Sequence, residues 1–549
     1  MNLKYLIVAP KIVQRAGQYY EFPLGLAYIS SALKNKGFDV SCLNLNHYDS
    51  AVKKLVTDTI KSKSIDVVLT GGLSVHYPQI EQVINDVRSN KPEVVTVLGG
   101  GILSSNPEPI FRALKPDYGI LFEGEETVVS LAQHLEHGED VADVAGLVYW
   151  NRNQPFFTKQ QKFIANLDSI AWPDYEGFEA DKYLNWQMAN DSHFLYSFDQ
   201  PRMLPMISSR SCPFSCTFCY HPLGNKYRVR SLDDFFSELK HLQNRFKINI
   251  VAVYDELFAM DTKRLVDFCN RIRGTRLKWI AQIRVDARID DGIMQLLKDS
   301  GCFVLGFGLE SASNRILASM NKHTNVAQME SILAVTKRHK IGIQGNFIFG
   351  DVEETQETAN ETLAWWKQHQ DYQIALTPIY PYSGTKLYQI AFERGLIKDA
   401  IAFQKTKYPI VNVSKLADTE YQALLKSLVT LNLENRRRFK ARILSMKKVG
   451  GSRKGTIYDI SVECPSCGAV NHFTRFNYDP ARELDSDGCQ TACRTCNQRF
   501  TVFVPTLLSR VMSVLPFSLS TFNKASAVKR KFYQKMENLF GSSYTENEI

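Results

Sequence analysis

Ser211-Cys212-Pro213-Phe214-Ser215-Cys216-Thr217-Phe218-Cys219 places three cysteines, at spacings of four and three, in one loop soon after an apolar strand, Leu204–Ser208. Three soft thiolates from a single short loop suit an iron–sulfur cube, [4Fe-4S]. Such a cube has four irons, so three cysteines leave one iron open to an external ligand. The competing reading is a zinc knuckle whose fourth ligand comes from elsewhere, with His221 the nearest candidate. A closed zinc site needs no barrel mouth around it, and the setting of this loop favours iron and sulfur.

That setting is a run of alternating strands and helices. After Leu204–Ser208 come Ile250–Tyr254, Leu277–Ile283, Cys302–Phe307, Ile343–Phe349 and Gln373–Thr377, with helical patterns between them. The helix after Ser231 is typical, its stripe formed by Leu232, Phe235, Phe236, Leu239 and Leu242. Six such units over residues 201–400 predict a partial (βα)6 barrel, whose active site lies at the carboxyl ends of the strands.

Upstream, residues 1–140 also alternate. Tyr5–Pro10, Phe38–Leu45, Asp66–Leu69, Val94–Leu98 and Tyr118–Phe122 read as strands, with a helix over Gly25–Lys34 that ends at Gly37. Gly71, Gly99 and Glu123-Gly124-Glu125 follow strands directly. The pattern predicts an α/β, doubly wound parallel sheet with a ligand crevice at the carboxyl edge. Residues 141–200, with Trp150, Trp172, Pro173 and Asp174 in loop-like contexts, read as a linker packed between domains. His76, near a strand end, reads as a packing or capping residue.

Downstream, Thr419–Leu433 is helical and residues 401–455 read as a helical and basic connector. Nine cations and no acid lie between Arg436 and Lys454, the local source of a net charge of +9. Such a run can bind RNA or anionic lipid, and more often is a solvated helix face or linker. Residues 456–505 carry Cys464-Pro465-Ser466-Cys467 and Cys493-Arg494-Thr495-Cys496, flanked by strand-like Thr456–Val462 and Phe500–Val504. Two such knuckles predict a zinc ribbon with four thiolate ligands, and an auxiliary iron–sulfur cluster with Cys489 as an extra ligand is the alternative. Residues 506–549 form a basic, then polar, tail; an amphipathic helix over Leu507–Leu519 would pack on its own domain.

Of 11 cysteines, eight fall in these two clusters, while Cys42, Cys269 and Cys302 sit in apolar surroundings as core. Clustering without an export signal points to metal rather than disulfides and to the cytoplasm. At 44% apolar and 22% charged residues the chain reads as globular, and no apolar run reaches membrane-spanning length.

The loop, with an aromatic at Phe218 before its last cysteine, resembles the radical S-adenosylmethionine superfamily, and the likeness extends over residues 200–400. The resemblance implies that the open iron chelates S-adenosylmethionine and that its reductive cleavage yields a 5′-deoxyadenosyl radical, with electrons from a donor such as flavodoxin or ferredoxin. Gly308-Leu309-Glu310-Ser311 is similar to the family's segment near the ribose and amino group of the cofactor, which makes Glu310 and Ser311 candidate contacts. Arg284 is a candidate partner of the cofactor carboxylate, or else an interior ion-pair member. Ile348-Phe349-Gly350 with Glu353 resembles the adenine-binding strand, although Asn346 replaces a usual glycine and Asp351-Val352-Glu353 replaces Leu-Pro-Gly. Pro381-Tyr382-Ser383-Gly384-Thr385 resembles the turn after the sixth strand.

Pro23-Leu24-Gly25-Leu26-Ala27-Tyr28, Gly99-Gly100-Gly101 and Glu123-Gly124-Glu125 resemble the cobalamin-binding domain of one large class of that superfamily, which includes methylases and cyclases. The resemblance implies cobalamin contacts at Ser74, Gly99, Gly100 and Glu125. The stretch Lys11–Gly17 lacks the Asp-x-His-x-x-Gly that presents a histidine to cobalt in other cobalamin domains. Either cobalamin binds without that ligand, or the domain only shapes the substrate pocket. The expected activity is cobalamin-dependent methylation, or a related radical rearrangement, of a small molecule or biosynthetic intermediate. A radical enzyme acting on RNA is an alternative, but RNA methylthiotransferases carry a second three-cysteine cluster where this chain has only Cys42. A non-enzymatic, metal-stabilised binding protein is the other.

Overall fold

In the computed structural model, which describes residues 2–192, 194–452, 455–478 and 488–504, the first sheet contains β1 (Lys4–Ala9), β2 (Asp39–Asn44), β3 (Val67–Gly71), β4 (Val95–Gly99), β5 (Tyr118–Ile120), β6 (Leu147–Asn151) and β7 (Gln154–Phe157). Their order is β2-β1-β3-β4-β5-β6-β7. β1 to β5 are parallel, and the strands are apolar in both directions because both faces are covered. Along β1, Tyr5, Ile7 and Ala9 enter one core while Leu6 and Val8 enter another on the opposite face. The order reverses direction between β1 and β3, which opens a crevice at their carboxyl ends.

β6 and β7 correct the reading of 141–200 as irregular linker. They add antiparallel to β5 and to each other. Arg152 and Asn153, with φ of 48° and 64°, form the two-residue turn between them, the backbone that matches a hairpin's twist. Trp150 lies in β6 and donates its indole N–H to the Pro116 carbonyl at 2.7 Å. Beyond the hairpin, Tyr175, Phe178 and Tyr183 are buried in the same core as the first sheet.

The second sheet is built from β8 (Met203–Met206), β11 (Ile250–Val253), β12 (Lys278–Ile283), β13 (Cys302–Glu310), β14 (Gly342–Phe349) and β15 (Ala375–Pro378), in that spatial order and all parallel. β8 and β15 are its two edges, so the barrel is open, as the sequence pattern predicts. Trp279, Ala281 and Ile283 of β12 face the helical layer, where Trp279 meets Phe268 edge-on at 5.1 Å. Between β8 and β11, the short strands β9 (Ser209–Arg210) and β10 (Arg228–Val229) pair antiparallel and close off the cysteine loop.

Contacts divide the chain into two units: Met1–Gln187 with Gln200–Asn432 and Cys496–Gln498, and Met188–Asp199 with Leu433–Thr495 and the chain from Arg499. The second contains an antiparallel sheet of β16 (Arg442–Ser452), β17 (Gly455–Glu463) and β18 (Val470–Tyr478), and a ladder of β19 (Cys489–Ala492) with β20 (Arg499–Val502). The basic run is therefore not a linker. It ends the helix Asp418–Arg438 and then forms the edge strand β16, where Arg442 pairs with Glu463. Cations suit an edge strand because they discourage pairing with another chain. The tail, 506–549, lies outside the described residues. Among those described, no helix is long and apolar enough to cross a membrane.

A methyl on Gly71 would lie 2.4 Å from the carbonyl oxygen of Gly99, backbone that cannot yield without parting β3 from β4. Gly71→Ala is expected to destabilise the protein by about 1–3 kcal/mol, the usual cost of overpacking. Chemical denaturation of the variant against the parent checks this.

Candidate active site

The loop between β9 and β10 is fixed from several directions. The Thr217 N–H donates to the Met320 carbonyl at 3.0 Å, and the Leu387 N–H donates to the Thr217 carbonyl at 2.8 Å. The Asn321 amide donates to the Ser215 carbonyl and hydroxyl. At the loop's start, Ser208 is held by Asp255, whose carboxylate accepts both its N–H and its hydroxyl at 2.6 Å. Cys216 is buried, and Cys212 and Cys219 are half-buried. A hydrogen bond from Cys219 pushes the Cys216 thiol down to about 6 against its burial, with help from the charges of Lys322 and Arg284. Burial raises the Cys212 thiol, and the bond to Cys216 raises Cys219.

Two cations stand beside these thiols. The Arg284 guanidinium stacks 3.6 Å from the Phe214 ring centre, pairs with Asp286 at 2.8 Å and donates to the Lys322 carbonyl. Lys322 pairs with Glu310 at 2.7 Å, and although burial opposes its charge, that carboxylate holds the ammonium above its ordinary range. Glu310 ends β13 in the left-handed region, with φ of 62°. Glycine at 308 leaves room for this pair, since a Cβ would lie 2.5 Å from Nζ of Lys322 and 2.8 Å from Oε1 of Glu310 and would push the two side chains aside.

The structure thus places Arg284 and Glu310 beside the cysteine loop, and Phe218 and Ile348 together at the edge of one apolar cluster. Ser311 is different. It is buried, its hydroxyl pairs with Thr362 at 3.0 Å and accepts from the Ser313 N–H, so it has no open side. Lys322 was not legible in the sequence, because it sits in a turn between two helices with no motif around it.

A cavity of about 450 Å³ lies at the crevice of the first sheet, within the range of small-ligand sites. Its floor is glycine: Gly71 and Gly72 after β3, and Gly99, Gly100 and Gly101 after β4. Gly100 has φ of +85°, and a Cβ there would lie 2.9 Å from the Gly72 carbonyl oxygen. The close backbones leave a flat, side-chain-free surface between Leu24, Ile29, Leu69 and Val97. Of the expected contacts, Gly99, Gly100 and Glu125 line this cavity, while Ser74 is buried and does not. His76 also lines it, and burial lowers its pKa. The opposite wall comes from the residues framing the cysteine loop: Ile207, Arg210, Pro222 and Leu223.

That wall is tied to the first sheet by buried charges. Arg210 pairs with Glu123 at 3.0 Å and Glu125 at 2.6 Å, and stacks over Tyr28. Arg228 pairs with Glu123 at 2.8 Å. Glu125, expected as a ligand contact, therefore spends its carboxylate on Arg210. Neither arginine was singled out from sequence, since pairing over 85 to 105 residues leaves no periodic signal.

The knuckles Cys464–Cys467 and Cys493–Cys496 bring four Sγ atoms within 4.8 Å of one another. The N–H groups of Ser466 and Thr495 point at Cys464 and Cys493 sulfurs at 3.4 Å. This set fits one tetrahedral ion. Among the described residues it is the only group so closely gathered; the three loop cysteines 212, 216 and 219 do not all lie within 4.8 Å of one another. Cys489 is not part of it.

Comparison with known proteins gives a consistent result. The model for the B12 binding domain matches residues 10–132, and that for the radical SAM superfamily matches residues 206–365. An uncharacterized methyltransferase of Pyrococcus horikoshii is 27% identical over 441 residues, 77% of this chain and 91% of the relative. The anaerobic magnesium-protoporphyrin IX monomethyl ester cyclase of Cereibacter sphaeroides is 26% identical over 361 residues, 62% of this chain and 56% of the relative. The structure of the radical S-adenosylmethionine methyltransferase TsrM from Kitasatospora setae, with cobalamin and [4Fe-4S] cluster bound, superimposes with a TM-score of 0.58 at 17% identity, covering 71% of this chain and 76% of that one.

The segment after β14 departs from the usual pattern for a local reason. Glu353 faces outward to Lys415 and Arg315, whereas Glu354 turns in and accepts the Gly350 N–H at 2.7 Å. Burial pushes the Glu354 carboxyl from 4.5 up to about 7. A raised carboxyl favours the protonated folded state, so its contribution is complete below about 4.5 and is lost as pH rises through about 7. Glu354→Gln should remove this fall in stability between those pH values, as read from unfolding midpoints across the range.

Proposed function

We propose that this chain, which belongs to the radical SAM superfamily and to its class with an N-terminal B12-binding domain, is a cobalamin-dependent methylase of a small molecule or biosynthetic intermediate. The observation that carries this reading is the shared wall. The glycine-floored cavity of the first sheet is closed on its far side by Ile207, Arg210, Pro222 and Leu223, which frame the cysteine loop. A group seated on the floor and a cluster in the loop would then face one substrate.

Cys212, Cys216 and Cys219 would hold the [4Fe-4S] cluster. Three thiols from one loop that do not all lie within 4.8 Å of one another suit the corners of a cube better than the close tetrahedron around a single zinc ion. Arg284 and Glu310, with Lys322 between them, would receive the charged amino-acid end of S-adenosylmethionine. Phe218 and Ile348 would supply its apolar wall, and Ser311 would support the strand end from behind. Gly99 and Gly100 would let the flat face of cobalamin approach the backbone, with Glu125 and Ser74 buttressing that surface. When bound, these cofactors supply a 5′-deoxyadenosyl radical and a transferable methyl group. The chain's own part is to orient them, and to keep water away with the apolar walls of the cavity.

Cys464, Cys467, Cys493 and Cys496 would hold a structural zinc ion, which replaces the core that so small a module lacks. We place the protein in the cytoplasm, where thiols stay reduced, with flavodoxin or ferredoxin as its electron donor. We favour this reading over an RNA-modifying one because residues 1–140 hold only Cys42, where RNA methylthiotransferases carry a second three-cysteine cluster.

Anaerobic reconstitution tests the proposal. The chain should take up about four irons and four sulfides, as one cube requires, together with cobalamin, seen by cobalt content and corrin absorption. With a strong reductant and S-adenosylmethionine it should release 5′-deoxyadenosine, and Cys216→Ala should abolish both cluster and product. A fully loaded chain that never forms 5′-deoxyadenosine would refute the reading. Cys493→Ser should independently strip zinc, measured by metal analysis, while the cube remains.

A further inference from the structure

Ser211, the residue just before Cys212, has φ of +73°. That left-handed conformation is costly for any residue with a Cβ and persists only where its surroundings impose it. Here the imposing contacts are few. The Ser211 hydroxyl donates to the Leu223 carbonyl at 2.6 Å and accepts from Nη2 of Arg228 at 3.0 Å. Nη2 of Arg228 also donates to the Leu223 carbonyl. Arg228 therefore ties the two ends of the cysteine loop together.

Arg228 is itself buried, and its counter-charge comes from the other sheet. Its Nη1 donates to both oxygens of Glu123, at 2.9 and 2.8 Å, and to the Ile164 carbonyl at 2.7 Å. Glu123 completes its shell with Arg210 and the Ile164 N–H. A buried guanidinium without its carboxylate would have to shift or draw in water.

We propose that Glu123, a residue of the N-terminal domain, is a positioning residue for the iron–sulfur loop. Through Arg228 it holds Ser211 in its left-handed conformation and so sets where Cys212 stands. This rests on the reading of Cys212, Cys216 and Cys219 as the ligands of the cluster. The N-terminal domain then shapes the cluster site as well as holding its own ligand.

The test uses the full chain, reconstituted anaerobically with iron and sulfide, and four variants: Glu123→Gln, Ser211→Ala, the double variant, and Glu238→Gln. Glu238 is the matched control, an equally buried carboxylate paired with Arg230 at 2.6 Å and bonded to Tyr175, with no bond to Ser211. The readouts are the rate at which an iron chelator bleaches the cluster, the spin-resonance spectrum of the reduced cluster, and the thermal midpoint.

Glu123→Gln and Ser211→Ala should each speed bleaching about tenfold, the factor that about 1.4 kcal/mol of lost restraint gives. Each should also alter the spectrum. The double variant should be no worse than either, because the two act through one link. Glu238→Gln should lower the thermal midpoint and leave bleaching unchanged. The inference is overturned if Glu123→Gln and Ser211→Ala bleach at the parent rate, if their effects add, or if Glu238→Gln speeds bleaching as much. Should Glu123→Gln fail to fold, Ser211→Ala, which breaks no ion pair, decides alone. A parent chain that takes up no cluster sinks the functional reading together with this one, whereas a clustered parent with indifferent variants sinks this one only.

Discussion

Four charged groups buried where the carboxyl ends of two parallel sheets meet constrain the rest of this molecule. Glu123 comes from the loop after β5, Glu125 from the first turn of the helix Glu125–His137 that follows, Arg210 from β9 and Arg228 from β10. Removing such ions from water costs several kcal/mol each unless partners and hydrogen bonds compensate. None of the four is tolerable without the others, so the set is satisfied only when both sheets adopt one mutual arrangement. The contribution is to geometry more than to net stability. A well-packed apolar contact could hold the sheets as firmly, but it would tolerate sliding that fixed donors and acceptors do not.

The arrangement brings a glycine floor and a thiol loop to opposite walls of one cavity. Each element owes its form to a local need. A Cβ on Gly71 would run into the Gly99 carbonyl, so no side chain fits at that position. Gly308 leaves room for the Lys322–Glu310 pair, which in turn sets a positive charge beside Cys216. Three thiolates with the cluster they would hold would carry net negative charge, and Lys322 with Arg284 would offset part of it at short range, where the low surrounding dielectric makes it count.

Much of this was legible in the sequence because it is periodic or compact. The parallel strands announce themselves as continuous apolar runs, and the three cysteines and the two knuckles lie within a few residues of each other. What was not legible depends on residues far apart. Glu125 resembles a ligand contact in one dimension, yet Arg210, 85 positions later, claims its carboxylate. Ser311 stands in a recognisable motif, but Thr362 decides which way its hydroxyl points. The hairpin of β6 and β7 was hidden differently: with Trp150 and exposed Phe156 and Phe157 it lacks clean alternation, and its turn uses Arg152 where glycine is the usual signal. Strand β16 was masked by its own cations, which read as a solvated run until β17 supplied a partner.

The two cysteine clusters of the chain show how spacing separates structural from reactive chemistry. In the ribbon, each knuckle closes a tight turn whose N–H groups point at sulfur, and four thiols converge within 4.8 Å. Every position of a tetrahedral ion would be filled by protein, which leaves nothing for a substrate to bind. In the barrel loop, the spacing of four and three draws Cys216 and Cys219 into contact and leaves Cys212 at the hinge marked by Ser211, and the three thiols do not all lie within 4.8 Å of one another. The chain gathers one set of thiols tightly enough to enclose an ion and spreads the other along a loop, and it is the spread set whose flanking residues line the cavity.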